Sequence, residues 1–322
     1  EVSDASGTAL FDVVDRAWSY GMCDALGLER SLLPAAYESQ EITGHVTQEV
    51  GRDLGLEPGT PVVGGGGDQA ASAVGNGIVE PGIASCTLGT SGVVFAHMDQ
   101  PHYDPFGRVH TFCHAVPNKW HVMGVTQGAG LSLQWFRNRM MPGAEYDTVL
   151  QEASTAPRGS GGLFWLPYLM GERTPHLDST ARAAWVGLTA KHTRAELIRS
   201  VIEGVCYSQK DGLDLIEQMG VPVESVRLSG GGARSLFWRQ MMADILGKPI
   251  VTLSTQEGSA YGAALLAQTG TGAYGMIEEA CRTAIHEVDR VDPNPQAHAE
   301  YAERHRVFQS IYPALRPVYG SL

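Results

Sequence analysis

Glycine gathers in this chain at the ends of apolar runs, and that placement limits the fold more than any other feature. Five clusters occur: "GGGGD" (64–68), "LGTSG" (88–92), "GAG" (128–130), "SGGGARS" (229–235) and "EGSAYGAA" (257–264). Glycines are 39 of the 322 residues, about 12% against roughly 7% in an average protein. A flexible linker would spread them through polar sequence. Here each cluster adjoins an apolar stretch, which is the arrangement of loops at strand ends.

The contexts repeat a theme of strand, glycine turn, then helix or strand. Val62 and Val63 lead into the first turn, and "DQAASAVG" predicts a short helix of small residues with Asp68 at its N-terminus. "GIASCTLGTSGVVFAHM" predicts two strands joined across "GTSG", and "RVHTFCHAVPNKWHVMGV" a second pair turning at Pro117-Asn118. Leu197, Val201, Val205, Leu213 and Ile216 recur at helical spacing within 193–220, and Gly220 ends that helix. "SVRLSGGGARSLFWRQMMADILG" predicts strand, glycine loop and helix, and "PIVTL" a further strand. Strands alternating with helices make the class α/β, with mixed sheets.

Composition narrows the function classes. The length suits roughly two domains, each burying a core. Hydrophobic residues are 43% and charged residues 18%, so the chain is globular, and it holds no apolar run near the roughly 18 residues of a membrane span. A formal net charge of −12 disfavours nucleic acid as a partner, since that affinity rests on clustered Lys and Arg. Cys23, Cys86, Cys113, Cys206 and Cys281 are odd in number and without a CxxC pair, which fits a reducing cytoplasm. The sequence opens without Met inside an apparently structured segment, "EVSDASGTALFD", so residues upstream are expected.

Glycine turns let backbone N–H groups converge on one place without Cβ interference, and a helix N-terminus behind them adds partial positive charge. Several such turns suit a nucleotide, although any one of them is equally well a tight turn for close packing. The Walker A ending GK[ST] is absent, and neither "GGGGDQ" nor "GGGARS" meets the dinucleotide pattern GxGxxG with a following acid. A dinucleotide dehydrogenase is therefore disfavoured.

The order of motifs is informative: "VVGGGGDQAASAVGNGIV", "CTLGTSGVVFA", "FWLPYLMGERTPH", "AAWVGLTAKHTRAELIRSVIEG", "SGGGARSLFWRQMMADILG" and "EGSAYGAALLA". Together they resemble the FGGY carbohydrate kinases from "SDASGT" almost to the C-terminus, and 183–203 meets the family's second signature. The resemblance implies the actin-like ATPase (ribonuclease H-like) fold, with residues 1–78 ending a sugar-binding domain and 79–322 forming an ATP-binding domain. The family's first phosphate loop, DxGTxxxK, has no counterpart here, so the 322 residues alone are expected to be inactive and poorly soluble.

The resemblance further implies ATP-dependent phosphorylation of a ketopentose, D-xylulose to D-xylulose 5-phosphate, with ATP carrying Mg²⁺ and no dedicated metal ligands. Other sugars or polyols (ribulose, gluconate, glycerol) and an actin-like nucleotide switch without a sugar remain as alternatives, and a homodimer is left open. Asp68 is implied as the general base and Gln69 as a sugar contact. Gly89, Thr90 and Ser91 are implied at the β- and γ-phosphates. Gly230, Gly231, Gly232 and Ala233 are implied at adenosine, with Ser235 capping the next helix. Each has a plainer reading: an N-cap aspartate for Asp68, a solvent-facing first-turn residue for Gln69, and turns for the rest.

Trp238 reads as an adenine stacker or, more in keeping with "FWRQMM", as core. Gly258, Ala260, Gly262 and Ala263 form a small-residue helix start that is implied to lie beside adenine or to serve packing alone. His110, Cys113, His114 and His121 mimic a metal site, but alternation along two strands keeps them from converging. Glu172, Arg173 and His176 of "GERTPH" receive no catalytic role; they border the cleft or join domains.

Overall fold

The computed structural model describes residues 1–255 and 258–322. Gln256 and Glu257, the latter opening the fifth glycine cluster, lie outside the described residues.

The first part of the chain is built from short elements: α1 (Val2–Ala5), the pair β1 (Phe11–Asp12) and β2 (Ala17–Trp18), α2 (Tyr20–Leu26), β3 (Ile42–His45), α3 (Gln48–Leu54) and β4 (Pro61–Val63). β1–β2 and β3–β4 are both antiparallel. α4 (Asp68–Gly75) follows the first glycine cluster, and Leu26, Leu32 and Leu54 stand exposed on this part.

Next come β5 (Gly82–Leu88), β6 (Gly92–Met98), β7 (His110–Cys113), β8 (Trp120–Thr126), α5 (Gly130–Met140), α6 (Tyr146–Thr155), β9 (Phe164–Leu166) and β10 (Ala184–Val186). The chain ends with α7 (Arg194–Gln218), β11 (Val223–Gly230), α8 (Leu236–Leu246), β12 (Ile250–Leu253), α9 (Gly258–Gly270), α10 (Ile277–Ala284), β13 (Glu287–Val291) and α11 (Pro295–Tyr319).

Seven strands form one mixed sheet in the order β13-β12-β11-β5-β6-β8-β7. β11 runs parallel to both β5 and β12, and the other neighbours are antiparallel. β6, "GVVFAHM", is buried along its whole length, His97 included, as a largely apolar run inside a sheet should be. One face of the sheet presents Ala84, Cys86, Leu88, Val94 and Ala96 to a core that includes Val201, Val205 and Ile216 of α7 and Met242 of α8. On the other face Val93 and Phe95 meet Ala73 of α4 and Ile78. Ala70 and Val74 of α4 pack with Leu265, Leu266 and Ile277 of α9 and α10. The result is a sheet between two helical layers.

α7 shows the limit of periodicity as a guide. Val201, Val205, Leu213 and Ile216 are fully buried as their spacing predicts. Thr193 N donates to Glu196 Oε2 at 2.9 Å to fix the helix start, and Gly220 takes φ +83 just past its end. Yet Arg199, Glu203, Gln209 and Asp211 are buried too. The helix is enclosed almost all round, so its polar residues pair internally: Arg199 Nε donates to Glu203 Oε1 at 2.9 Å, and Tyr301 OH donates to the same oxygen. Among the described residues no helix is long and apolar enough to cross a membrane, and all five cysteines are free and buried.

Candidate active site

The parallel pair β5 and β11 ends in register, Leu88 beside Gly230, so "GTS" and "GGARS" leave the sheet as neighbouring turns. A cavity of about 680 Å³ opens over them. Gly89 and Thr90 of the first turn and Gly231, Gly232 and Ser235 of the second line it together. Ser235 caps α8 as predicted, its Oγ accepting from Trp238 N at 3.3 Å. Ser91, Gly230 and Ala233 are not part of the lining.

Each glycine of the second turn has a separate reason. Gly230 has φ +87, and a Cβ there would fall 2.5 Å from the Leu88 carbonyl oxygen. On Gly232 a Cβ would lie 2.7 Å from Leu88 Cδ1. Gly231 differs, since a Cβ on it meets nothing within 4 Å and its φ lies outside the left-handed region. A side chain at 231 would therefore project into open space without backbone strain.

Gly130 N donates to Gly89 O at 2.7 Å and Leu131 N to Thr90 O at 3.1 Å. The start of α5 thus holds the first turn by its carbonyls. Because each peptide is planar and trans, the Thr90 and Ser91 N–H groups of those same units point the opposite way, out of the turn.

The rest of the lining escaped the sequence reading. Leu133 and Gln134 of α5, Tyr146 and Leu150 of α6, and Phe237 are among the other wall residues, and α6 adds polar ones such as Asp147 and Gln151. "GAG" before α5 was the only local signal, and α6 carried none, because its contribution depends on where a loop returns it. Trp238 is 3% exposed within the main core, as its core reading expects, and the residue also lines the cavity.

Asp68 stands apart from this cavity, exposed at the first position of α4. Its Oδ1 accepts from Gln69 N at 2.8 Å and its Oδ2 from Gln69 Nε2 at 3.4 Å. Gly67 N, just before it, donates to Ser3 Oγ at 3.0 Å, and Ser259 Oγ donates to Asp68 O at 3.0 Å. The preceding glycines serve the backbone at least in part. A Cβ on Gly64 would approach Glu38 O to 2.9 Å, and Gly65 takes φ +78.

The small-residue start of α9 packs on α4, the packing alternative of its two readings. A Cβ on Gly262 would come within 1.8 Å of Ala71 O, and one on Gly75 within 1.9 Å of Gly258 O. None of Gly258, Ala260, Gly262 and Ala263 lines the cavity.

Of the four residues resembling a metal site, His114 and His121 are ring neighbours with centroids 5.7 Å apart, and the other two have partners elsewhere. Cys113 packs with Val2, Ala5 and Phe11, and His110 Nε2 accepts from Arg173 at 2.6 Å. His121 stacks on Phe95 with ring centroids 4.3 Å apart. His114 Nδ1 accepts from Val116 N, and its Nε2 lies 2.9 Å from Ile78 O. Among the described residues no group of three or more His, Cys, Asp or Glu could hold a metal ion.

Residues 84–270 match the C-terminal domain and residues 1–75 the N-terminal domain of the FGGY family of carbohydrate kinases. The xylulose kinase of Escherichia coli (strain K12) is 40% identical over 319 residues, which are 99% of this chain and 65% of that protein. Two crystal structures from Lactobacillus acidophilus, described as a ligand-bound xylulose kinase and a gluconate kinase, each superpose with a TM-score of 0.94 at 29% identity. Each comparison covers 99% of this chain and 65% of the other. The chain spans 62% to 65% of the length of the curated relatives it matches first.

Proposed function

Because this chain belongs to the FGGY family of carbohydrate kinases, with the family's actin-like α/β fold, we propose that its cavity binds ATP for the phosphorylation of D-xylulose to D-xylulose 5-phosphate. One observation carries the nucleotide half of this reading. Two glycine turns far apart in sequence, Gly89-Thr90 and Gly231-Gly232, line a single cavity of about 680 Å³ with an apolar wall, a size and make-up suited to a nucleoside. Residues 79–322 then form the ATP side, and residues 1–78, ending in α4, belong to the sugar side.

Phosphoryl transfer asks little covalent chemistry of the protein; it asks for alignment and for charge stabilisation. In this reading the outward N–H groups of Thr90 and Ser91 face the phosphates. Gly231 lies against adenosine with Leu133, Leu150 and Phe237 enclosing it. Asp68 accepts the proton of the attacking sugar hydroxyl, and Gln69, bonded to both of its oxygens, fixes the carboxylate's direction and contacts the sugar. Mg²⁺ would arrive with ATP, holding phosphate oxygens and waters as its main ligands.

The sugar is assigned from the relatives named xylulose kinase. Gluconate is the second reading, favoured by the equally similar structure described as a gluconate kinase. A panel of D-xylulose, D-ribulose, D-gluconate and glycerol, assayed for ADP release by the full-length protein, tests both. D-xylulose should lead in kcat/KM by at least about tenfold. A lead by gluconate would transfer the assignment, and nucleotide hydrolysis indifferent to every sugar would replace the kinase with a switch.

A further inference from the structure

The "GERTPH" loop remains outside the mechanism, and it holds a buried carboxyl with one oxygen unpartnered among the described residues. Glu172 is 2% exposed, and no cation forms an ion pair with it among the described residues. Its Oε1 accepts from Gln127 N and from Arg173 N, each at 2.8 Å. Its Oε2 is buried without a hydrogen-bond partner among the described residues. Burial pushes this carboxyl up to about 8, against the opposing effect of those two backbone bonds. A buried acid held in this way invites a reason beyond packing.

The backbone around Glu172 is fastened to β8 by more than its carboxyl. Thr174 N donates to Val125 O at 2.9 Å, and Val125 N donates to Thr174 Oγ1 at 3.0 Å. Glu172 and Asp178 exchange N–H···O bonds of 2.9 and 2.8 Å, closing the loop on itself. Glu172 is therefore a fixed point, and what it grips is the first residue beyond β8.

From Gln127 the chain has three steps to the cavity. Gly128 is pinned, because a Cβ there would lie 1.8 Å from Pro167 O, and Ser132 Oγ donates to Gly128 O at 2.6 Å. Gly130 then lines the cavity and donates to Gly89 O. A Cβ on Gly130 would fall 2.5 Å from that same oxygen, so a displacement of the 127–130 turn is passed directly to the Gly89–Ser91 turn.

We propose that Glu172 is a positioning residue of the nucleotide site: its carboxyl anchors the Gln127–Gly130 turn, and through the Gly130 amide it sets the Gly89–Ser91 turn. This rests on the nucleotide reading of the cavity. The groups around Glu172 are Asp211 of α7 and Tyr168 before the loop, which oppose its ionisation or are opposed by it, and Arg173, which favours ionisation. Protonated, Glu172 anchors the turn at no charge. Ionised, it sets a buried negative charge behind a turn that receives a polyanion.

The test compares wild type, Glu172→Gln and Glu172→Ala in the full-length protein. ATP affinity is measured calorimetrically from about pH 6.5 to 9, across the ordinary titration range of a raised carboxyl, with hydrogen exchange at residues 126–131. Glu172→Gln keeps an acceptor oxygen and should hold ATP affinity within about twofold near neutrality, whereas Glu172→Ala should weaken it at least about fivefold. Exchange at Gln127 should quicken only in Glu172→Ala. Wild-type affinity should fall as pH rises through about 8, and the Glu172→Gln profile should be flat there. ATP affinity and exchange unchanged in Glu172→Ala would overturn the proposal. If that variant does not fold, a Glu172→Gln profile that falls like wild type does so. A wild-type protein that binds no ATP instead overturns the nucleotide reading, which separates the two failures.

Discussion

Leu88 and Gly230 are the last paired residues of two neighbouring parallel strands, and the Leu88 carbonyl oxygen occupies the space a side chain at 230 would need. The contact forces the two turns to leave the sheet at the same height. Leu88 also divides the glycines of "SGGGARS": Gly230 and Gly232 leave no room for a Cβ against it, whereas Gly231, which lines the cavity beside Gly232, has open space.

The division predicts opposite phenotypes at adjacent positions. Gly230→Ala places a Cβ 2.5 Å from Leu88 O at φ +87 and ψ −176, a backbone region essentially reserved for glycine that costs about 1–3 kcal/mol before the clash is counted. Its melting temperature should drop by several degrees. Gly231→Val should leave stability nearly unchanged and weaken ATP binding at least about tenfold by filling cavity space. Thermal melts and ATP titrations decide it; equal loss of stability in both variants would assign the whole turn to packing.

Asp68 can be separated from the nucleotide in the same way. Asp68→Asn keeps a first-turn acceptor for the Gln69 amide but cannot take a proton at neutral pH. It should lower kcat at least about 100-fold while the ATP dissociation constant changes less than about twofold. Near-normal sugar-dependent turnover would remove Asp68 from the chemistry.

The seam between α4 and α9 supplies a third test. Gly262 and Gly75 leave no room for a Cβ against the facing backbone, and α4 begins at Asp68, whose carbonyl is bound by Ser259 of α9. Gly262→Ala should cost about 1–3 kcal/mol through overpacking. What survives should lose more in kcat than in ATP affinity, because the helix that moves carries Asp68 and not the cavity. A variant with full stability would mean the helices separate freely.

Much of this architecture was legible in local sequence. Strand, turn and helix followed from apolar runs interrupted by glycine, and the cap at Ser235 and the helix stop at Gly220 followed from residue type. The partners of each turn were not legible. Nothing in "GAG" says that Gly130 N meets Gly89 O, since that contact links segments brought together by the antiparallel β6–β8 pairing. Tyr146 and Leu150 sit on a helix whose sequence fits any amphipathic surface. For Gly258 and Gly262 packing and a place beside adenine were equally legible, because small residues signal close approach without naming what approaches. Glu172 read as a polar loop residue, and only its burial reveals the anchor.

Histidines on the α4-facing side of the sheet give the last prediction. His97 and His121 are paired across β6 and β8, His114 lies 5.4 and 5.7 Å from them by ring centroid, and all three are at most 2% exposed. Burial pushes His121 down to about 3 and His114 well below its ordinary value. It lowers His97 as well, against the pull of Asp99. In the unfolded chain each titrates near 6.5. The unfolded state therefore binds more protons than the folded one between about pH 6.5 and the folded values, and stability is lost as pH falls through that window. At pH 5 the loss is about 2 kcal/mol for a single such histidine, at about 1.4 kcal/mol for each unit of displaced titration. Glu172, raised to about 8, acts in the opposite sense: its stabilisation is full below its unfolded value and disappears as pH rises through about 8. The raw pH profile thus mixes both signs, and a difference between variants isolates the histidine. His121→Phe keeps a ring against Phe95 and removes the proton site. Denaturant melts at pH 7 and pH 5 should show a stability loss smaller in His121→Phe than in wild type by about 2 kcal/mol. An identical loss in both would mean that His121 does not set the acid sensitivity of this fold.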